Sequence, residues 1–143
     1  MLVARLHEAA DRWLASELAA AGLAGLVPSH GDILACLFAN GPTDMHGLAA
    51  FARRTKPTTT VLVAKLERLG FVTRAKTAGD ARRQLVSLTP AGEALRPVFD
   101  DISRRLAGKV REGISQSDSD SLESSLSRIL RNFTPPHNTR KQP

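Results

Sequence analysis

Apolar residues at the start of the chain recur near helical spacing. Leu2, Leu6, Ala9, Trp13, Leu14, Leu18 and Ala21 predict a helix over about 2–21, stopped at Gly22. A second helix opens at Ser29, with Asp32 three residues on to meet the free amides of its first turn, and buries Ile33, Leu34, Cys36, Leu37 and Phe38. Asn40-Gly41-Pro42 closes it. Thr43 or Asp44 caps a short third helix that buries Leu48, Ala49 and Phe51 and ends at Arg53-Arg54. Lys56-Pro57-Thr58 starts a fourth, since proline is tolerated where its missing N–H had no partner. Leu62, Val63, Leu66 and Leu69 give this fourth helix one apolar side, and Thr58, Thr60, Val61, Lys65 and Arg68 occupy the other, up to Gly70.

The period then changes. Residues 71–76 and 84–89 are short, β-branched and alternating, which predicts two strands joined by a turn containing Ala78-Gly79-Asp80. Thr89-Pro90 restarts a helix in which Leu95, Val98, Phe99, Ile102, Leu106, Val110 and Ile114 share a stripe. Ser117 or Asp118 caps a last one carrying Leu122, Leu126, Ile129 and Leu130. From Thr134 the periodicity is lost, and residues 134–143 are expected to be a disordered tail.

Two short helices joined by a tight turn and followed at once by a hairpin is the order of a winged helix-turn-helix. The expected fold is mainly α with a small β-hairpin wing. Charge adds a direction. Of 20 basic residues, nine lie between Phe51 and Arg83, against only Glu67 and Asp80, whereas the remaining 11 basic and 12 acidic groups nearly cancel. A solvated surface normally mixes both signs, so this segment points to a polyanion. Its second helix must bury one side only, leaving a hydroxyl-rich start (Thr58, Thr59, Thr60) and a positive dipole end for phosphates and bases in a major groove. Arg82 and Arg83, at the hairpin tip, are expected to probe phosphate and the minor groove, with Asp80 holding one guanidinium. The candidate DNA-binding residues are Arg53, Arg54, Lys56, Thr58, Thr59, Thr60, Lys65, Arg74, Lys76, Arg82 and Arg83.

The runs KPTTTVLVAKLERLGFVTR and DARRQLVSLTPAG resemble the DNA-binding core of the MarR family of bacterial transcriptional regulators, over roughly residues 29–95. The second run is similar to that family's Asp-x-Arg…Leu-Thr-x-x-Gly wing pattern. One departure is Arg53-Arg54-Thr55-Lys56, where such families usually place a small aliphatic residue. The resemblance implies a homodimer interlocked through the first and last helices, reading a palindromic double-stranded DNA site, usually as a repressor. The apolar stripes of those helices exceed what one small domain can cover, which agrees. The implied organisation is 1–28 as the N-terminal helix of a dimerisation region, 29–94 as the winged helix-turn-helix and 95–133 as C-terminal dimerisation helices. Leu6, Trp13, Leu122, Leu126, Ile129 and Leu130 are its candidate contacts.

The family also binds small anionic or aromatic effectors, which makes His7, Trp13 and His30 candidates for an effector pocket. Cys36 is the candidate for redox sensing, although its place between Ile33 and Leu37 favours a buried structural thiol. A single cysteine excludes an internal disulfide, and the four histidines lack metal-ligand spacing. Ser29, His30 and Asp32 are too close on one helix start to form a nucleophile–base chain, so no enzyme, cofactor or metal is expected. No apolar run reaches the ~18 residues needed to span a bilayer, and acids come early at Glu8 and Asp11, so the expected location is the cytoplasm. Behind a ligand-responsive repressor rank two alternatives: a nonspecific or architectural nucleic-acid-binding module, and a helical scaffold whose basic hairpin meets an acidic partner.

Overall fold

The computed structural model describes residues 1–133; the expected tail lies outside them. Helix α1 runs Leu2–Ala20 and helix α2 runs Pro28–Asn40. Strand β1 (Thr43–Asp44), helix α3 (Met45–Ala52) and helix α4 (Lys56–Arg68) follow. Strands β2 (Val72–Thr77) and β3 (Asp80–Leu88), short helix α5 (Pro90–Glu93), α6 (Arg96–Arg111) and α7 (Gln116–Phe133) complete the order. The chain divides into two compact units, Met1–Arg104 and the part from Arg105 onward, with the division inside α6.

The first unit is built around α2, whose Ile33, Leu34, Cys36 and Leu37 are all buried. Leu18 from α1, Leu48 and Ala52 from α3, Leu62, Val63 and Leu66 from α4, Val72 and Val86 from the sheet and Ile102 from α6 close on them. Trp13 and Leu14 pack against this core from α1, whereas Leu2, Val3 and Leu6, nearer its start, stand exposed.

Several local expectations are corrected. Helix α2 begins at Pro28, one residue before Ser29, and its cap is Val27. Proline presets the first helical φ, and His30 Nδ1 accepts the Val27 N–H at 3.0 Å, so the histidine does the capping expected of Ser29 and Asp32. Phe51 is 48% exposed and Ala52 takes its place in the core; the helix is only two turns long, so a one-residue phase error moves a side chain across its face. Leu69 is likewise exposed, lying just past the end of α4.

The sheet has three antiparallel strands in the order β1-β3-β2. The extra strand, unforeseen because it is two residues long, pairs Thr43 with Val86 and Asp44 with Leu85. The helix expected to run on from Thr89 is two helices. Pro97 accounts for the break: it cannot donate to the residue 93 carbonyl and its ring would crowd that carbonyl, so the chain restarts at Arg96. Thr89 does cap α5, accepting Gly92 N–H at 3.1 Å. A Cβ on Gly92 would fall 2.0 Å from the Phe71 carbonyl oxygen, so only glycine lets this turn lie against the base of the hairpin.

In the second unit α7 is capped by Ser115, whose Oγ accepts Asp118 N–H at 3.1 Å, and not by Ser117 or Asp118. No residue of α7 is buried; Leu122, Leu126, Ile129, Leu130 and Phe133 are all exposed.

Candidate nucleic-acid interface

Helix α4 owes its orientation to a four-residue apolar period. Thr59, Leu62, Val63 and Leu66 are buried, which turns Thr58, Thr60, Val61 and Arg68 outward. Thr55 caps the helix: its hydroxyl accepts Thr58 N–H at 3.4 Å and donates to Thr58 Oγ1 at 2.9 Å. Thr59, counted among the DNA-binding candidates, is 0% exposed and donates its hydroxyl to the Thr55 carbonyl at 2.9 Å. It is a core residue of the first turn and is withdrawn from the interface. The physical reason is the 100° step per residue, which sends the middle one of three consecutive threonines inward.

Arg53, the last-turn residue between α3 and α4, adopts a left-handed φ of 51°. That conformation is uncommon for a side-chain-bearing residue and here closes α3, with Arg54 N–H bonded to the Ala49 carbonyl. Arg54 then reaches back to α2, donating to Ser29 Oγ at 3.1 Å and lying 4.0 Å from Asp32. Burial raises the Asp32 pKa, Arg54 opposes that shift, and nearby Asp11 reinforces it. The unusual arginine pair is therefore partly a fastening between helices.

The wing differs from expectation at its tip. β3 begins at Asp80, so Arg82 and Arg83 are strand residues beside a two-residue turn, Ala78-Gly79, in which Gly79 has φ +99°. The register slips between Lys76 and Thr77: Lys76 pairs with Gln84 but Thr77 with Asp80, which sets residues 81–83 in an irregularity of the ladder. Asp80 Oδ1 accepts the backbone N–H of Arg82 at 2.9 Å and does not hold a guanidinium. That task falls to Asp44, 39 residues away in sequence. Its Oδ2 accepts from Arg83 Nε at 2.7 Å and from Arg83 Nη2, while its Oδ1 caps α3 by accepting Gly47 N–H at 2.8 Å. The Gly47 amide first, and Arg83 second, hold the Asp44 carboxyl below its ordinary pKa. Arg74 is similarly engaged, donating to Glu67 Oε2 at 3.0 and 2.6 Å and lowering that carboxyl's pKa. Among the described residues the Arg82 guanidinium has no protein partner.

These elements enclose a groove of about 460 Å³ lined by Asp44, Met45, His46, Lys56, Thr60, Arg74, Arg82, Arg83 and Gln84. Five expected DNA-binding residues, Lys56 and Thr60 from α4 with Arg74, Arg82 and Arg83 from the wing, therefore meet in one concavity. Arg53, Arg54, Thr58, Lys65 and Lys76 lie outside its lining. Asp44, Met45, His46 and Gln84 were not anticipated there: Asp44 reads as a plain helix cap, and no spacing in the chain announces a pairing 39 positions away.

The remaining candidates separate. His30 is 6% exposed; burial first, and the Lys65 charge second, keep its pKa below the usual imidazole range. His7 is exposed and sits 3.5 Å from Asp11. His30 is thus spent on a helix cap and is not available to line an effector pocket with His7. Cys36 is buried, with the Asn40 amide 3.6 Å from its sulfur. Among the described residues no group of three His, Cys, Asp or Glu side chains is placed to hold a metal, and no helix is long and apolar enough to cross a membrane.

A one-sided helix presented beside a basic hairpin, on a three-helix core, defines a winged helix-turn-helix domain. Residues 26–83, which hold most of this winged helix, match the model of the MarR family. A stretch of 72 residues is 35% identical to the transcriptional regulator FarR of Neisseria gonorrhoeae, covering 50% of this chain and 49% of that protein. The match thus spans about half the length of that curated relative. The fold is similar to that of Staphylococcus aureus MepR in a complex with DNA, with a TM-score of 0.84 at 21% identity over 92% of this chain and 94% of that one. It is also similar to Bordetella bronchiseptica BpsR, a regulator whose DNA binding responds to 6-hydroxynicotinic acid, with a TM-score of 0.72 at 16% identity over 90% and 98%.

Proposed function

We propose that this chain is a homodimeric, sequence-specific transcriptional regulator that binds double-stranded DNA and acts as a ligand-responsive repressor. The observation that carries the reading is the shared groove. Lys56 and Thr60 at the start of α4 converge with Arg74, Arg82 and Arg83 of the wing on one concave surface. In this reading α4 enters a major groove of a palindromic site, where Thr58 and Thr60 meet base edges. Arg82, free of intramolecular partners among the described residues, enters the flanking minor groove; Arg83, already tied to Asp44, braces the wing and faces phosphate. The exposed stripe of α7 supports self-association. Response to a small aromatic or anionic effector rests on the likeness to BpsR.

Selection of bound fragments from a random DNA pool tests the proposal. A regulator should prefer its selected site over random duplex by at least ~10³. With six or more phosphate contacts, affinity should fall by roughly 10³ or more between ~50 and ~200 mM salt. Equal affinity for all duplexes would leave an architectural binder, and dimerisation without DNA affinity would leave a scaffold.

A further inference from the structure

The outward side of α4 is not uniformly polar. Val61 is 69% exposed, more than any other large apolar residue described between α1 and α7. The core does not need it, because Leu62 and Val63, the next two residues, fill the inner side. Helix formation does not explain it either, since a β-branched residue on a free helix face is a poor choice.

Its neighbour Thr60 has a committed hydroxyl, donated to the Lys56 carbonyl at 2.9 Å. That bond fixes the side-chain rotamer, so what Thr60 offers a ligand is its γ-methyl and an acceptor oxygen, not a donor. An apolar spot therefore sits on the exposed face of a helix otherwise flanked by Lys56, Lys65 and Arg68. In the major groove the edge that matches an apolar spot between phosphate-seeking cations is that of an A·T pair, where thymine presents a C5-methyl group.

We infer that Val61, assisted by the γ-methyl of Thr60, is a specificity-determining contact for thymine methyl groups in the major groove. The inference rests on the DNA-binding reading above and deepens it.

Thymines of the selected site are replaced one at a time by deoxyuridine, which lacks only that methyl, and binding is measured for wild type, Val61→Ala, Thr60→Ser and Thr60→Val. Wild type should lose on the order of fourfold at one thymine per half-site, the scale of one buried methyl. Val61→Ala should lose a similar factor on the thymine duplex and nothing further on the uracil one. Thr60→Ser should blunt discrimination at a neighbouring thymine, whereas Thr60→Val should keep it. Losses from Val61→Ala and from uracil that multiply at every position, or a wild type indifferent to uracil throughout, would overturn the inference while leaving DNA binding intact. A wild type that bound no duplex above the random pool would overturn the reading beneath it as well. Val61 is exposed and outside the core cluster, so a melting temperature no lower than that of wild type shows that Val61→Ala reads contact and not folding.

Discussion

Helices α4 and α7 both repeat leucines at helical spacing, but they use them differently. In α4, Leu62 and Leu66 vanish into the core with Val63 and Thr59, and the face left over is hydroxylated, cationic and marked by one exposed valine. In α7, Leu122, Leu126, Ile129 and Leu130 all remain exposed and nothing is buried. One helix is held by its own domain so that its polar side can serve a ligand. The other leaves its apolar side largely exposed, which is the surface expected of a helix that completes itself on another chain. A hydrophobic stripe thus reports an interface only when the fold fails to cover it.

The largest effect should come from the uncovered stripe. Leu122→Ala, Leu126→Ala and Leu130→Ala combined should give monomers by analytical ultracentrifugation and weaken operator binding by 10² or more, because two half-sites would no longer be gripped together. A triple variant that remained dimeric would erase the contrast between the two helices. Next comes Gly92→Ala, which forces a methyl onto the Phe71 carbonyl; it should destabilise the first unit by about 3 kcal/mol, visible as a melting temperature lower by roughly 10 °C or more. Unlike the α7 variant it should leave the oligomeric state of the remaining folded protein unchanged.

Arg82→Ala should weaken DNA binding by roughly tenfold and reduce the slope of log affinity against log salt by about 0.9, one phosphate-equivalent contact. An unchanged slope would remove Arg82 from the DNA. The smallest effect concerns pH. Asp44 and Glu67 have carboxyl pKa values below their ordinary ones, so the folded chain binds fewer protons than the unfolded one. Their contribution is present above the unfolded carboxylate range, around pH 4, and is lost as pH falls through the folded values. His30, with its pKa lowered by burial, favours the neutral ring in the fold; its contribution is complete above about pH 6.5 and declines below it. Protonation also abolishes the acceptor that caps Val27. Thermal melts between pH 7 and pH 3 should therefore show a shallower decline for His30→Gln beginning below pH 6.5, and for Asp44→Asn only nearer pH 4. Identical profiles in all three proteins would place the acid sensitivity elsewhere.

Much of the scaffold could be read along the chain because it depends on local physics. The period of Ile33, Leu34 and Leu37, the proline at the start of α4 and the switch to alternation at Phe71 each act within one or two turns. The candidate site was legible in composition but not in detail. Thr59 reads like Thr58 and Thr60, and only the rotation of α4 on its core sends it inward. Asp80 is the near carboxylate for the wing arginines by sequence, but the turn draws it to a backbone amide.

By itself the sequence determined the order of the longer helices and the wing hairpin, the concentration of positive charge between Phe51 and Arg83, and the one-sidedness of α4. Those properties follow from which residues are neighbours in the chain and from the helical and strand repeats. Tertiary structure alone decided that Asp44 grips Arg83, that Arg54 fastens α3 to α2, and that wing and helix share a groove. Charged side chains choose partners by distance in space, and a carboxylate 39 positions away becomes the nearest one only after β1 has paired with β3.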